Sequence, residues 1–226
     1  MPSLLIQIEG TDGSGKTLQT QLLERRLKKE GYTVKEISFP QYGKPSAVMI
    51  EEYLRGNLGS AEAVGAKRAS MLYAVDRWAA SNTIAQWLAN DTIVIANRYV
   101  ASNMGHQGGK IRNKTEREAF FDWAHTLEYT TFGIPKPDFT LFLHMPPKMS
   151  QLLVDKKDAR SYLQGKMRDI HENDIMHLQH AEEAYLHLLD YFDDFTSIAC
   201  VKDETLRSPE DIHKEIYNKV VQQIVS

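Results

Sequence analysis

Short apolar runs alternate with longer amphipathic segments along the whole chain. Consecutive apolar positions are typical of strands buried on both faces of a parallel sheet, and they predict strands over residues 4–8, 33–39, 92–96, 139–145 and 197–201. Apolar residues at helical intervals predict helices over 18–30, 47–54, 61–89, 114–130, 146–156, 169–192 and 209–225. Residues 97–110 are polar and contain glycine, so they are predicted as a loop. Strands separated by helices predict an α/β fold, with a five-stranded parallel sheet covered by helices on both faces.

The segment between the first predicted strand and the first predicted helix carries the candidate chemistry. Residues 10–17 fit G-x-x-x-x-G-K-[ST], the pattern of a phosphate-binding loop. Glycine permits positive φ angles, so the backbone N–H groups of such a loop can point at an anion at the N-terminus of the next helix. Lys16 adds a charge for the β- and γ-phosphates, and the Thr17 hydroxyl can ligate Mg²⁺. The predicted nucleotide-binding residues are Gly10, Thr11, Asp12, Gly13, Ser14, Gly15, Lys16 and Thr17.

Composition narrows the class of protein. The 226 residues predict one domain over 1–226. A net charge of −3 argues against a nucleic-acid coat or a membrane-surface protein, so neither nucleic acid nor membrane is expected as a partner. The single cysteine, Cys200, excludes an internal disulfide and a cysteine-rich zinc site, and its apolar neighbours predict a buried, unreactive thiol. There is no apolar run of 18 residues and no leader-like N-terminus, so we expect a cytoplasmic protein.

Other classes of P-loop protein fit the sequence poorly. A GTPase reads guanine with Asn-Lys-x-Asp directly after a strand, whereas residues 113–116 read Asn-Lys-Thr-Glu and follow no predicted strand. The third predicted strand ends in Asn97-Arg98, without the carboxylate that a motor-type ATPase places there. A kinase whose acceptor is already a phosphate needs no general base, but it needs cations to offset the repulsion between two phosphates. Arg77 and Arg98 are the candidate cations, because the planar guanidinium group binds phosphate through two hydrogen bonds.

A basic run between two predicted helices supplies further cations. It contains Lys157, Arg160, Lys166 and Arg168. Such a run is usually a solvated charged loop. Beside a phosphate loop, it can also be a mobile lid that carries an arginine onto the transferred phosphoryl group. The sequence leaves both interpretations open.

Several short motifs occur in order along the chain: Glu9-Gly10-x-Asp12-Gly13-x-Gly15-Lys16-Thr17, Phe39-Pro40-x-Tyr42-Gly43, Asp76-Arg77, Arg98-Tyr99-x-x-Ser102-Asn103 and Pro135-Lys136-Pro137-Asp138. The ordered set closely resembles bacterial thymidylate kinases, from the first strand to the last helix. The resemblance implies a three-layer P-loop kinase fold with a five-stranded parallel sheet and a short basic lid at about 157–168. It also implies an enzyme that phosphorylates dTMP to dTDP with ATP and Mg²⁺, usually as a homodimer.

The resemblance implies a role for each matching residue. Asp12 would contact the sugar 3′-hydroxyl and, with Thr17, organise Mg²⁺. Arg98 would hold the acceptor phosphate, and Lys16, Arg160 and Arg168 would complete the catalytic set. The residues expected around the acceptor nucleotide are Asp12, Phe39, Tyr42, Tyr73, Arg77, Arg98, Ser102, Asn103, His106 and Gln107. Among them, Tyr73 would stack on thymine, Arg77 would reach its carbonyl edge, and Asn103 would also read the base.

The sequence departs from the family pattern at three positions. Asn97 stands where the third strand usually ends in Asp, and His106 stands where a Tyr often crowds a ribose 2′-hydroxyl. Position 13 is Gly and not the Arg of the eukaryotic branch, so the catalytic cation is expected from the lid. Two alternatives stay open: a deoxynucleoside kinase or other nucleoside monophosphate kinase, and a nucleotide-binding protein without catalysis.

Overall fold

The protein is described by a computed structural model that covers residues 3–153 and 175–225. One sheet contains strands β1 Leu4–Glu9, β2 Val34–Ser38, β3 Ile93–Asn97, β4 Phe139–His144 and β5 Phe195–Ala199. All of its pairings are parallel, and the strand order is β2-β3-β1-β4-β5. Strands β6 Val201–Lys202 and β7 Thr205–Leu206 form a separate antiparallel hairpin.

Helices fill the intervals between the strands. Those with regular α geometry are α1 Lys16–Lys29, α2 Val48–Leu54, α3 Ala61–Val64, α4 Ala66–Ala89, α5 Val100–Ser102, α6 Lys114–His125, α7 at residues 147–153, α8 Ile175–Tyr191 and α9 Pro209–Val225. A 3₁₀ turn, Pro45–Ala47, precedes α2, and π-helical segments Asn103–Gln107 and Thr126–Thr131 continue α5 and α6. No helix within these described ranges is long and apolar enough to span a bilayer.

The sheet separates two apolar cores, because successive side chains of a strand point to opposite faces. In β1, Ile6 and Ile8 pack on the face covered by α1 and α9, with Leu23 of α1 and Ile216 of α9. On the other face, Leu5 packs against α4, α6 and α8. All six residues of β1 are buried. The predicted three-layer arrangement with a parallel sheet is therefore confirmed.

Two predicted boundaries and one predicted element type are wrong. The helix over 61–89 is broken at Gly65, whose φ of 74° ends α3 before α4 begins. The fifth strand starts two residues before the predicted segment, since Phe195 pairs with Thr140 of β4. The predicted loop 97–110 is largely helical. There the backbone of Gly105 packs so closely on the Tyr185 ring that a Cβ would lie 2.4 Å from it, and this tertiary contact overrides the loop-like composition.

Two features of the fold bear on the chemistry. Strands β1 and β3 are neighbours, with Ile8 opposite Asn97, so the loops that follow them meet at one edge of the sheet. Cys200 is fully buried, as predicted. Burial raises the pKa of its thiol to about 11, so the thiol is unreactive at neutral pH.

Candidate active site

The loop between β1 and α1 has the geometry that its glycine motif predicts. Gly13 and Gly15 have positive φ angles of 81° and 86°, and α1 begins directly behind them at Lys16. A Cβ at position 13 would lie 2.4 Å from the carbonyl oxygen of Ser150, so only glycine fits this close approach. The loop therefore places its backbone N–H groups at a helix N-terminus, where an anion is stabilised.

The Lys16 side chain lies within this loop. It is 7% exposed, and its Nζ donates to the carbonyl oxygens of Gly10 at 2.9 Å and Thr11 at 2.8 Å. The Ser14 hydroxyl oxygen is buried and has no hydrogen-bond partner in the described part of the chain. The loop thus combines an ammonium group with polar atoms that a phosphate could satisfy.

Thr17, a predicted magnesium ligand, lies beside the end of β3. The Asn97 side chain donates from Nδ2 to the Thr17 hydroxyl oxygen at 3.3 Å. Residues 3–153 and 175–225 contain no group of three or more His, Cys, Asp or Glu that could hold a metal ion. Mg²⁺ usually keeps several waters and takes substrate phosphates as ligands. The donor set therefore fits a magnesium ion that binds together with a nucleotide.

Arg98 joins the phosphate loop to the segment after β3. It has a φ of 65°, which is uncommon for a residue other than glycine. Its Nη2 donates to Asp12 Oδ1 of the phosphate loop. Its Nη1 lies 2.8 Å from His106 Nε2 and 3.4 Å from the Ser102 hydroxyl oxygen. The structure thus brings together four of the predicted site residues.

The Asp12–Arg98 pair is held in its charged form. Burial disfavours the Asp12 carboxylate, but the positive charges of Arg98 and Lys16 outweigh burial and hold the pKa of Asp12 well below its usual value. Burial also disfavours the Arg98 guanidinium, and here the Asp12 carboxylate outweighs it and raises the pKa of Arg98. Asp12, predicted as a metal ligand, is therefore engaged by Arg98 in this conformation.

His106 is neutral in this arrangement. A guanidinium group can only donate, so His106 Nε2 must accept from Arg98 and the ring proton must lie on Nδ1. Nδ1 lies 3.4 Å from His177 Nε2, and the two rings stack at 5.6 Å. Burial and the charge of Arg98 lower the pKa of His106 well below its usual value. A neutral imidazole thus lies beside the arginine predicted to hold the acceptor phosphate.

Glu9, at the end of β1, connects the surrounding segments. Its fully buried carboxylate accepts from the Tyr99 backbone N–H at 2.7 Å, the Ser102 hydroxyl at 2.7 Å and the Tyr185 hydroxyl at 2.8 Å. These bonds fix the turn that carries Arg98. In the sequence, Glu9 stands out as part of a motif and as the acidic residue at the end of an apolar strand, whereas no local signal marks Tyr185.

Arg77 and Asn103, both predicted to read the base, meet at Glu128. Arg77 is 1% exposed and Glu128 is fully buried. Arg77 donates to the two carboxylate oxygens of Glu128 at 2.5 and 2.7 Å, and Asn103 Nδ2 donates to Oε1 at 3.0 Å. Burial disfavours the charge of Arg77, but Glu128 outweighs it and raises the pKa of Arg77. Glu128 was not predicted, because nothing in its helical segment distinguishes it from a surface acid.

The loop after β2 contains Phe39 and Tyr42, the predicted pocket lining. The buried Phe39 ring lies 5.7 Å from the Tyr99 ring, whereas Tyr42 is 60% exposed. Asp76, which sequence reasoning gave no role, anchors this loop: its carboxylate accepts from the Gln41 backbone N–H at 2.7 Å and from the Gln41 side chain at 3.1 Å. The fully buried Asp76 thus fixes the loop to α4 directly before Arg77.

Tyr73 and Gln107 lie in a second polar group beside α2. Tyr73 meets the Tyr53 ring edge-on at a centroid distance of 6.4 Å. Lys110 Nζ donates to the Tyr53 hydroxyl at 2.8 Å and to Gln107 Oε1 at 2.6 Å. Gln107 is therefore held by Lys110, and its expected place around the acceptor nucleotide stays a prediction.

The predicted lid, 157–168, lies outside the described residues, and with it Arg160 and Arg168, two of the predicted catalytic residues. The helix α7 that leads to it packs against the phosphate loop. There the Ser150 and Thr11 hydroxyl oxygens lie 3.1 Å apart. The roles expected of the lid arginines stay predictions.

In a comparison with known protein families, residues 8–216 of the chain match the thymidylate kinase model. The chain belongs to the thymidylate kinase family. Among relatives, it is 31% identical to thymidylate kinase of Mycobacterium tuberculosis (strain H37Rv) over 188 residues. The matched segment covers 82% of this chain and 85% of that protein. It is also 30% identical over 222 residues to thymidylate kinase of Halothermothrix orenii, which covers 97% of both chains.

The family assignment confirms the predicted enzyme class, an ATP-dependent nucleoside monophosphate kinase. Among solved structures, thymidylate kinase from Candida albicans superposes with a TM-score of 0.73, covering 98% of this chain and 92% of its own. At 21% sequence identity this likeness concerns the fold alone. It confirms the P-loop kinase fold predicted from the ordered motifs.

Proposed function

We propose that this member of the thymidylate kinase family transfers the γ-phosphoryl group of ATP to dTMP, giving dTDP and ADP. An oxygen of the acceptor phosphate would form a bond to the γ-phosphorus while the bond from that phosphorus to the β–γ bridging oxygen breaks. No proton has to be removed first, because the acceptor oxygen is already anionic. The observation that carries this proposal is the Asp12–Arg98 pair, which joins the phosphate loop to the end of β3.

The donor would bind at the phosphate loop. Residues 10–17 would surround its phosphates with backbone N–H groups, and Lys16 would add a charge at the β- and γ-phosphates. Thr17 would hold Mg²⁺ with the phosphates and water, and Asp12 could join it if Arg98 turns to the acceptor. When bound, Mg²⁺ neutralises charge that develops on the phosphate oxygens. Arg160 and Arg168 of the predicted lid would complete the cationic surroundings.

The acceptor would bind between the loop after β2 and the helical segment after β3. Arg98 would hold its phosphate, since the arginine already pairs with one anionic group, Asp12. Arg77 and Asn103 would read the base, supported by their meeting at Glu128. The pocket would further contain Phe39, Tyr42, Tyr73, Ser102, His106 and Gln107.

A nucleoside acceptor fits the site less well than a nucleoside monophosphate. Its hydroxyl needs a general base, and Asn97 at the end of β3 cannot remove a proton. Glu9 at the end of β1 is fully buried and accepts three hydrogen bonds, so its oxygens are committed to the fold. The Asp12 carboxylate in the loop after β1 is paired with Arg98. The strand-end residues Glu9 and Asn97 thus offer no free base among the residues the structure describes, which supports a phosphate acceptor.

A coupled assay of ADP formation with dTMP or thymidine tests this proposal. We expect turnover of dTMP by the wild type. In Lys16→Ala, kcat should fall roughly 100-fold or more, because the ammonium group that would stabilise the transferring phosphate is removed. The circular dichroism spectrum of Lys16→Ala should match that of the wild type, which separates loss of chemistry from loss of fold. Turnover of thymidine alone would overturn the proposal. Tight binding of dTMP and ATP without ADP release would instead indicate a nucleotide-binding protein.

We also propose that the enzyme works as a homodimer in the cytoplasm. Met71, Val75 and Trp78 follow each other at helical spacing on α4 and are 42%, 43% and 54% exposed. An exposed apolar stripe of this kind is typical of an interaction face. Because α4 also carries Arg77, a second copy packed there would brace the helix that bears a base-reading residue.

A further inference from the structure

The two side chains proposed to read the base meet at one buried carboxylate. Glu128 is fully buried in the π-helical segment that continues α6. It accepts from Arg77 Nε at 2.5 Å, from Arg77 Nη2 at 2.7 Å and from Asn103 Nδ2 at 3.0 Å. A buried carboxylate is tolerated only where such donors surround it. This carboxylate orders two neighbouring side chains at once.

The contacts fix which way each of these side chains faces. Both acceptors of the Asn103 NH₂ group, Glu128 Oε1 and the Ser70 carbonyl oxygen at 3.1 Å, can only accept. The amide is therefore locked with Oδ1 on the opposite side. Arg77 uses its Nε–Nη2 edge on Glu128, and Nη1 has no partner among the residues the structure describes. These bonds leave Asn103 Oδ1 and Arg77 Nη1 as the polar atoms of the two side chains that are not engaged by Glu128 or Ser70.

We infer that Glu128 is a positioning residue that sets base selection, an inference that rests on the proposed function. By engaging the other polar atoms of both side chains, it would leave an N–H donor of Arg77 and the carbonyl acceptor of Asn103 for the base. Thymine and uracil offer the complement, a C4 carbonyl acceptor next to an N3–H donor. Cytosine offers an amino donor next to an N3 acceptor, so each of its groups would face a like group. A site built from fixed polar groups rejects such a ligand strongly, because its own atoms are left unpaired.

The variant Glu128→Gln tests the inference, because it keeps the shape of the side chain but replaces one acceptor oxygen with a donor. Whichever way the new amide turns, an N–H of Arg77 or Asn103 then faces another donor. The measurement is kcat/KM for dUMP, dCMP and dTMP. dUMP and dCMP differ only along the edge that the two side chains would read, whereas dTMP and dUMP differ only in the 5-methyl group.

We expect the dUMP-to-dCMP ratio of kcat/KM to fall roughly 10- to 100-fold in Glu128→Gln. The dTMP-to-dUMP ratio should stay unchanged, since Glu128 makes no contact that depends on the methyl group. Glu118→Gln is the matched control: Glu118 lies on α6 and bonds His187 Nε2 at 3.0 Å, away from this cluster. Both ratios should keep their wild-type values in the control.

The outcomes separate the inference from the proposed function. A wild-type enzyme that turns over none of the three monophosphates overturns both. A wild-type enzyme that turns over dUMP and dCMP equally well overturns the inference alone. A wild-type preference that survives in Glu128→Gln, or a loss of rate that is equal for all three substrates, overturns the inference alone. If Glu128→Gln does not fold, Glu128→Asp decides, because it keeps the charge but withdraws it by one methylene. A dUMP-to-dCMP ratio unchanged in Glu128→Asp would then overturn the inference.

Discussion

The Tyr185 hydroxyl offers a direct test of how the strand ends at the site are held. It donates to the buried Glu9 carboxylate at 2.8 Å, from α8 to the end of β1. Burial and the negative charge of Glu9 raise the pKa of Tyr185 well above its usual value, so the hydroxyl keeps its proton and remains a donor. Tyr185→Phe removes this donor and keeps the ring, which stacks on Phe142 at 4.8 Å.

The expected loss of stability follows from the type of bond. A hydrogen bond to a charged group contributes about 1.5–3 kcal/mol, and a buried acceptor left without its donor bears that loss in full. Glu9 is fully buried, so water cannot replace the hydroxyl without rearrangement. For a chain of this length each kcal/mol lowers the melting temperature by about 2–4 °C. Tyr185→Phe should therefore lower it by roughly 3–12 °C.

The matched control lies on the same helix. The Tyr191 hydroxyl donates to Asp122 at 3.0 Å, but Tyr191 is 36% exposed and water can take its place. Tyr191→Phe should change the stability by less than about 0.5 kcal/mol. Thermal and urea unfolding of the three proteins provide the comparison. If Tyr185→Phe melts as the control does, Glu9 does not depend on Tyr185, and the reasoning about this network is refuted.

Two further predictions concern pH and assembly. The pKa of His106 is lower in the folded than in the unfolded chain. Burial and the positive charge of Arg98 disfavour the imidazolium, and His177 and Lys16 disfavour it further. The Asp12 carboxylate favours the imidazolium, but its effect is smaller. The contribution of neutral His106 to stability is thus complete above about pH 6.5 and is lost as pH falls below that value. The melting temperature of His106→Gln should therefore fall less steeply with pH below about 6.5 than that of the wild type, and equal slopes for the two proteins would contradict this. In sedimentation velocity, Val75→Glu should dissociate the proposed dimer whereas Val225→Glu, 76% exposed on α9, should not.

The sequence predicted the elements whose signal is local. Apolar strands, helical periodicity and the glycine pattern of residues 10–17 are read within a few positions, and the structure has them near where they were expected. Gly13 is an example, since its positive φ follows from the motif, whereas the close approach of Ser150 to it does not. The ordered motifs also identified the family. They placed Asp12, Arg98 and Ser102 in one site, where the structure brings them together.

Contacts between residues far apart in sequence could not be predicted in this way. Glu128 lies 51 positions from Arg77 and Tyr185 lies 176 positions from Glu9, and no local pattern marks either partner. The segment after β3 was predicted as a loop because Asn, Gly and Ser are common in loops. It becomes helical because Gly105 packs on Tyr185 and Asn103 bonds Glu128, and both of these contacts are tertiary.

These long-range contacts also give the site its order. Glu9 lies directly before the phosphate loop, and its oxygens hold Tyr99 and Ser102, the residues on either side of the turn that follows Arg98. One buried carboxylate thus connects the phosphate loop after β1 to the segment after β3, at the ends of two adjacent strands. Asn103 follows Ser102 and is held in turn by Glu128. A buried, hydrogen-bonded network is rigid, so these contacts hold the phosphate loop, Arg98 and Asn103 at a fixed spacing. The proposed in-line transfer between two phosphates requires such a fixed spacing.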